Sequence, residues 1–68
     1  MIETYIVTVE GFDPLIDGYI EEDVVVKANG REPAIEKAVY IFLERNPDCH
    51  YEDNDILNVR KIEEEEVS

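Results

Sequence analysis

One helical segment stands between extended segments, and this order limits the folds that the chain can adopt. From Ile35 onward, apolar residues recur at the i, i+3, i+4 and i+7 spacing of one helix face: Ile35, Ala38, Val39 and Phe42. Asn29 or Gly30 can cap its start. We expect the helix to end near Arg45, because the residue before Pro47 disfavours helical geometry. A single amphipathic helix must bury its apolar face against another layer, and the other segments are extended.

Segments 4–10, 19–28 and 56–63 are rich in β-branched and aromatic residues, which is typical of strands. The connection 11–18 contains two glycines and an Asp-Pro step, which predicts a loop longer than a tight turn. The element order is therefore ββαβ. If strand three pairs with strand one, every pairing is antiparallel, whereas pairing with strand two would be parallel. We predict an α+β fold in which one helix packs on one face of a three-stranded antiparallel sheet of order 2-1-3.

Apolar residues of shared parity on each strand, together with the helix row, define the predicted core. On strand two, Glu22 interrupts a set of apolar residues that share its parity. The expected core residues are Val7, Val9, Val24, Val26, Ile35, Ala38, Val39, Phe42, Leu57 and Val59. A chain of 68 residues with 44% hydrophobic content predicts one domain over residues 1–62, followed by an acidic tail over residues 63–68.

Cysteine content and the N-terminal segment favour a cytoplasmic protein. The single Cys49 cannot form an internal disulfide, which fits a reducing compartment. The first residues lack the basic and apolar regions of a signal peptide, and no window approaches the roughly 18 apolar residues of a membrane span. We therefore expect the protein in the cytoplasm.

The charge balance restricts the classes of partner. The chain carries 18 acidic and 6 basic residues, for a net charge of −12, and residues 1–26 contain acids but no base. A surface of this kind repels nucleic acid and anionic membranes and attracts cationic surfaces. Direct nucleic-acid binding and membrane binding are therefore the functions that the composition argues against.

Neither catalysis nor a metal site is predicted. Cys49 and His50 form the only thiol–imidazole pair, and adjacent residues of an extended loop point in opposite directions, which argues against a catalytic dyad. Segment 48–55 is rich in carboxylates, but it lacks the turning glycine of an EF-hand loop and the four Cys or His ligands of structural zinc. We expect a solvated acidic loop, no cofactor and no enzymatic activity.

The acidic residues are the candidates for partner binding. Carboxylates on a helix repeat about every 6 Å at i, i+4, and alternate strand residues lie about 6.6 Å apart. Phosphates on one nucleic-acid strand repeat on a similar scale, at about one charge per 3.4 Å of axis. A solubilising surface is the competing interpretation, although a charge of about 2–8 suffices for solubility. The candidates are Glu21, Glu22, Asp23, Glu32, Glu36, Glu44, Asp48, Glu52, Asp53 and Asp55.

The stretch "VVVKANGREPAIEKAVYIF" resembles a strand–turn–helix pattern found in many small ββαβ domains, among them an archaeal ribosomal protein family. The similarity covers about twenty residues and implies a fold of this type. That ribosomal family is basic where this chain is acidic, so its RNA-binding role is not carried over.

In size, charge and predicted fold the chain is similar to phage-encoded DNA mimics. These include anti-restriction proteins and anti-CRISPR proteins, among them a type I-C inhibitor with a three-stranded sheet and one helix. The resemblance implies a DNA-mimic inhibitor that blocks target recognition by a cationic DNA-binding protein, with a Cascade-type CRISPR effector complex as one candidate. The alternative is a small non-enzymatic accessory or self-associating domain that is acidic for solubility only.

Overall fold

Three strands and one helix make up the described part of the chain, which comprises residues 1–50 and 54–63 of a computed structural model. The elements are β1 (Glu3–Asp13), β2 (Gly18–Ala28), α1 (Arg31–Arg45) and β3 (Asn54–Ile62). The sheet has the order β2-β1-β3, and both pairings are antiparallel. This arrangement confirms the predicted α+β fold. Residues 64–68 of the expected acidic tail lie outside the described residues.

The core lies between α1 and one face of the sheet. Val7 and Val9 on β1 and Val24 on β2 are essentially inaccessible to solvent, and Phe42 of the helix packs among them. Ile35 and Val59 are half-buried at the margin of this core. The buried apolar residues are Val7, Val9, Val24, Val26, Ala28, Ala34, Ala38, Val39, Phe42 and Cys49.

The absence of a side chain at Gly11 lets the helix approach β1. A Cβ atom at this position would lie 2.6 Å from Cε2 of Phe42, which is closer than carbon atoms can pack. The same Cβ would lie 3.5 Å from Sγ of Cys49. Phe42 therefore occupies the space above the backbone of Gly11, and the last turn of α1 is held against the sheet at this point.

The predicted burial of Leu57 is wrong, because β3 contains a bulge. Val7 lies opposite Val59, but Val9 lies opposite Ile56, so the register shifts by one residue between Thr8 and Val9. Such an extra residue reverses the side-chain alternation of its strand. Ile56 therefore packs against the core, and Leu57 is 50% exposed.

The β1–β2 hairpin is longer than predicted, and its connection is shorter. The strands pair from Glu3 opposite Ala28 to Asp13 opposite Gly18, which leaves residues 14–17 as the turn. The amide of Leu15 donates a hydrogen bond of 2.9 Å to Oδ1 of Asp13. Much of the expected loop 11–18 is thus strand, since Asp13 satisfies the turn backbone in the way that aspartate side chains commonly do.

Hydrogen bonds at both ends define the helix. The amide of Ala34 donates to the carbonyl oxygen of Gly30 at 3.2 Å. At the other end, the backbone amide and the side-chain Nδ2 of Asn46 both donate to the carbonyl oxygen of Phe42 at 2.9 Å. The helix therefore ends at Arg45, before Pro47, as its sequence predicts.

Candidate partner-binding surface

The sheet presents one face to α1, and no helix in the described part of the chain covers the other, here called the open face. The buried Val7 and Val24 face α1, so the even-numbered residues of β1 and the odd-numbered residues of β2 lie on the open face. Residues directly opposite each other share a face. By the strand register, the open-face residues are Thr4, Ile6, Thr8, Glu10, Phe12, Tyr19, Glu21, Asp23, Val25, Lys27, Asp55, Asn58, Arg60 and Ile62.

Three carboxylates form a row across the open face, with one from each strand. Glu10 on β1 lies directly opposite Glu21 on β2 and directly opposite Asp55 on β3. Directly opposite residues have Cβ atoms about 4.5–5.5 Å apart, and like charges in such positions destabilise a sheet. Glu10, Glu21 and Asp55 are called the acidic row below. Their charges oppose the pairing of the strands that carry them.

A fourth carboxylate lies beside the acidic row and is held in place by a hydrogen bond. Oγ1 of Thr8 donates to Oδ1 of Asp23 at 2.7 Å, across the β1–β2 pair. Thr8 is buried between its neighbours, whereas Asp23 is exposed. The bond leaves the other carboxylate oxygen of Asp23 free to accept a further hydrogen bond or to pair with a cation.

The consecutive acids Glu21, Glu22 and Asp23 do not form one cluster. Glu22 points to the helix side of the sheet, where one of its carboxylate oxygens lies 3.6 Å from Nη1 of Arg45. Its other oxygen accepts a hydrogen bond of 3.5 Å from Nδ2 of Asn46. Glu22 therefore ties the end of α1 to β2, while Glu21 and Asp23 lie on the open face.

The candidate residues of the helix lie on a separate surface. Glu32, Glu36 and Glu44 are exposed along α1, and Asp48 is exposed in the segment that follows it. Glu36 borders an open groove of about 450 Å³ whose other lining residues are Ile35, Val39, Tyr40 and Leu43. Because α1 packs against the other face of the sheet, Glu32, Glu36 and Glu44 lie on the opposite side from the acidic row. The candidates Glu52 and Asp53 lie outside the described residues.

Positive charge is concentrated at the end of the molecule away from the β1–β2 turn. The register places Lys27, Arg60 and Lys61 opposite the first residues of β1, and Nζ of Lys37 donates to the carbonyl oxygen of Lys27 at 2.6 Å. Arg31 begins the helix at the same end. Of the six basic residues, Arg45 alone lies near the other end, beside Glu22. Five of the six basic residues therefore lie towards one end of the described part of the chain.

Lys61 is the basic residue whose charge is most clearly stabilised. Its Nζ lies 3.0 Å from a carboxylate oxygen of Glu3. The hydrogen bond to Glu3, together with the attraction of that carboxylate, raises the pKa of Lys61. Glu3 and Lys61 thus balance each other locally, whereas no ion pair found among the described residues includes a member of the acidic row.

The buried thiol of Cys49 is unsuited to nucleophilic attack. Burial, and to a smaller extent the negative charges of Asp13 and Asp48, raise the pKa of Cys49 above its ordinary value. A thiol that holds its proton is a poor nucleophile. The neighbouring His50 is exposed. Among residues 1–50 and 54–63, no group of three or more His, Cys, Asp or Glu side chains is arranged to hold a metal ion.

Glu10 lies at the centre of the acidic row but is absent from the candidates chosen by sequence. Those candidates were chosen as runs of acids or as rows on one element, and Glu10 is an isolated acid at the end of a predicted strand. Its parity with Thr4, Ile6 and Thr8 places it on the face away from Val7 and Val9. That parity indicates the face on which Glu10 lies. The residues opposite Glu10 on the neighbouring strands depend on the register of the hairpin, which the parity does not give.

No protein-family model, curated protein or solved structure matches this chain. In the part of the chain that the structure describes, α1 is neither long enough nor apolar enough to cross a membrane.

Proposed function

We propose that the chain is a DNA-mimic inhibitor that occupies the cationic nucleic-acid-binding site of another protein. The acidic row supports this proposal most directly. Glu10, Glu21 and Asp55 lie on neighbouring strands, and such strands are about 4.8 Å apart. Nucleic acid presents about one charge per 3.4 Å of axis on each strand, so the carboxylates repeat on a comparable scale. Lys and Arg side chains that bind successive phosphates would meet successive carboxylates here.

The repulsion between the carboxylates of the acidic row favours a role in binding over a role in solubility. A solubilising surface works equally well when its charges are dispersed and both signs are interspersed. Like charges that lie directly opposite each other weaken the sheet. A cationic partner reverses this contribution, because each carboxylate then faces a positive charge instead of another carboxylate.

The proposed mechanism is competitive and stoichiometric, without turnover. Asp23 beside the row is already oriented by Thr8, so little side-chain freedom is lost when it meets a partner. The acids of the helix surface, Glu32, Glu36 and Glu44, extend the negative field and accelerate encounter with a basic surface. The protein itself does not bind nucleic acid, since like fields repel.

The class of target follows from the resemblance to phage-encoded DNA mimics. We propose a defence complex of the host bacterial cell as the partner, with a Cascade-type CRISPR effector as the first candidate. The inhibitor would block recognition of target DNA in the cytoplasm. Five of the six basic residues lie towards the other end of the described chain, so the end that carries the acidic row would enter the cationic site first.

Capture from host lysate tests the proposal. We expect the immobilised protein to retain a binding protein from the lysate. A duplex or single-stranded oligonucleotide should displace that binding protein at a salt concentration that does not release it when no oligonucleotide is added. The variant E10Q/E21Q/D55N removes the charge of the acidic row and keeps the shape of its side chains. It should retain much less of that protein than the wild type does.

The matched control is E32Q/E36Q/E44Q, which removes the same number of charges from α1. This control should retain the captured protein nearly as well as the wild type. If both variants retain it equally well, or if oligonucleotides never displace it, the acidic row does not stand in for phosphates. The remaining explanation would be an accessory or self-associating domain whose acidic surface serves solubility.

A further inference from the structure

The turn of the β1–β2 hairpin exposes large apolar side chains on a protruding segment. Leu15 is 75% exposed, Ile16 is 61% exposed and Tyr19 is 67% exposed. All three fall within residues 12–19, here called the hairpin tip. Soluble proteins rarely group exposed apolar side chains without an interaction to cover them. The tip is therefore a candidate for contact with another molecule.

The hairpin tip extends past the other elements. β3 begins at Asn54, opposite Gly11, so the described part of β3 has no residue beside the tip. α1 ends at Arg45, which contacts Glu22 rather than the tip. Leu15 and Ile16 thus stand at the end of a molecule that is 46 Å long and 20 Å wide. This placement leaves the exposed side chains of Leu15 and Ile16 accessible to a partner.

Local contacts hold the tip in one conformation. Oδ1 of Asp13 accepts the hydrogen bond from the amide of Leu15, and Asp17 adopts a left-handed backbone conformation with φ of 52°. The rings of Phe12 and Tyr19 pack edge to face, with centroids 5.3 Å apart. These contacts order the backbone of the turn and the ring of Tyr19, so less conformational entropy is lost there when a partner binds.

The surroundings of the tip determine which kind of partner it can meet. Asp13 and Asp17 lie in the tip, the acidic row begins next to it, and residues 1–26 contain no basic residue. Two copies that met tip to tip would bring like charges together, and an anionic membrane would repel the tip. A cationic surface is attracted to the same charges. Charge complementarity therefore favours a basic protein surface that contains an apolar recess.

We propose that the hairpin tip is an apolar anchor that inserts into an aromatic or apolar pocket within the partner's cationic nucleic-acid-binding groove. The inference rests on the proposed function and makes it more specific. Grooves for single-stranded nucleic acid combine basic side chains with aromatic platforms on which bases stack. Tyr19, Leu15 and Ile16 would occupy the places of bases while the acidic row occupies those of phosphates.

Two short peptides serve as defined probes in a titration followed by NMR. In one peptide Lys alternates with Trp, and in the other Lys alternates with Ala. We expect the Lys–Trp peptide to bind about tenfold more tightly, since aromatic anchors in an interface contribute on the order of 1.4 kcal/mol or more. Its amide shift changes should centre on Phe12, Leu15, Ile16 and Tyr19. A Lys–Trp peptide that binds no more tightly than Lys–Ala would overturn the inference.

Substitutions show whether the preference for the Lys–Trp peptide depends on the tip or on exposed apolar residues elsewhere. L15S/I16S should abolish the advantage of the Lys–Trp peptide and leave the affinity for Lys–Ala unchanged. The control L57S changes a residue that is 50% exposed on β3, and it should retain the full advantage. An advantage that survives in L15S/I16S, or that is lost in L57S, contradicts an anchor at the tip.

The same variants in the lysate capture distinguish this inference from the proposed function. The tip anchor predicts that L15S/I16S retains several-fold less of the captured protein than L57S does. If L15S/I16S retains the protein fully and oligonucleotides displace it, the anchor is wrong and the mimicry stands. If L15S/I16S retains less of the captured protein but oligonucleotides never displace that protein from the wild type, the anchor stands and the proposed DNA mimicry is wrong. Self-association that L15S/I16S abolishes would also overturn the anchor, because a second copy would then occupy the tip.

Discussion

Glu10 lies directly opposite Glu21 in the β1–β2 pair, so two carboxylates of like charge occupy one cross-strand position. On its other side, Glu10 lies opposite Asp55 of β3. The buried apolar side chains of the core lie on the other face of the sheet. The arrangement therefore weakens the fold locally without a packing benefit, and this property can be measured.

Replacing Glu10 with glutamine should stabilise the protein. Glu10→Gln removes two like-charge contacts and keeps the length of the side chain. We expect the free energy of unfolding to rise by about 0.2–1 kcal/mol for each contact removed, measured by urea denaturation at low salt. Glu36→Gln is the reference for a charge removed outside the sheet; it relieves one like-charge contact, with Glu32 four residues earlier on α1, and should therefore stabilise the protein less than Glu10→Gln does. A loss of stability in Glu10→Gln that Glu36→Gln does not share would refute the repulsion.

Added salt should stabilise the wild type more than the variant E10Q/E21Q/D55N. The Debye length falls to about 3 Å at 1 M salt, which screens exposed carboxylates from each other. The net charge of −12 makes repulsion the dominant long-range term in the folded state. Thermal melts over a sodium chloride series should show a rising midpoint, with a shallower rise for E10Q/E21Q/D55N. A midpoint that falls with salt would show that attractive ion pairs dominate.

Addition of a methyl group at Gly11 should be destabilising because Phe42 already occupies the space. We expect Gly11→Ala to lower the free energy of unfolding by about 1–3 kcal/mol, the usual effect of overpacking. Gly18→Ala is the control, since its Cβ would lie 3.8 Å or more from the nearest heavy atoms outside the neighbouring residues. It should leave stability unchanged or raise it by up to about 1 kcal/mol, because alanine restricts the unfolded chain more than glycine does. Urea denaturation of both variants measures the difference. Equal stability of the two would show that β1 and α1 are not held this closely.

The order of the strands and most of the core could be predicted from local patterns. The valines of β1 and β2 alternate, and the apolar row of α1 has helical spacing, so each element identifies its own buried face. Strand three beside strand one then follows from the direction of the strands, because only that position makes every pairing antiparallel. Leu57 was misassigned because a bulge shifts the parity of β3 partway along the strand. A bulge depends on how two strands fit together, and the sequence of one strand does not reveal it.

The acidic row could not be predicted because it depends on register. A run of three acids at residues 21–23 is visible in the sequence, but alternation sends Glu22 to the helix side and separates it from its neighbours. Glu10 becomes the neighbour of Glu21 because the hairpin is centred between Leu15 and Ile16, with residues 14–17 as its turn. With a loop assigned to residues 11–18, the residue opposite Glu10 was undetermined. Turn length therefore decided which carboxylates lie together.

The buried thiol should make stability depend on pH in the alkaline range. Because the pKa of Cys49 is raised in the folded protein, the unfolded chain releases the thiol proton first. This contribution to stability is complete below the ordinary cysteine pKa of about 8.5 and is lost as the pH rises through the higher folded value. Urea denaturation of the wild type and Cys49→Ala across this range should show the wild type losing more stability. Parallel pH curves would contradict a protected thiol.

The central claim is that the acidic row acts in place of phosphates, and phage plaquing on cells with an active Cascade-type CRISPR system tests it most directly. Expression of the wild type should restore plaquing of a targeted phage, and E32Q/E36Q/E44Q should restore it nearly as well. E10Q/E21Q/D55N should fold at least as stably as the wild type and fail to restore plaquing. Wild type that leaves the defence intact, or an E10Q/E21Q/D55N variant as active as the wild type, would contradict the account.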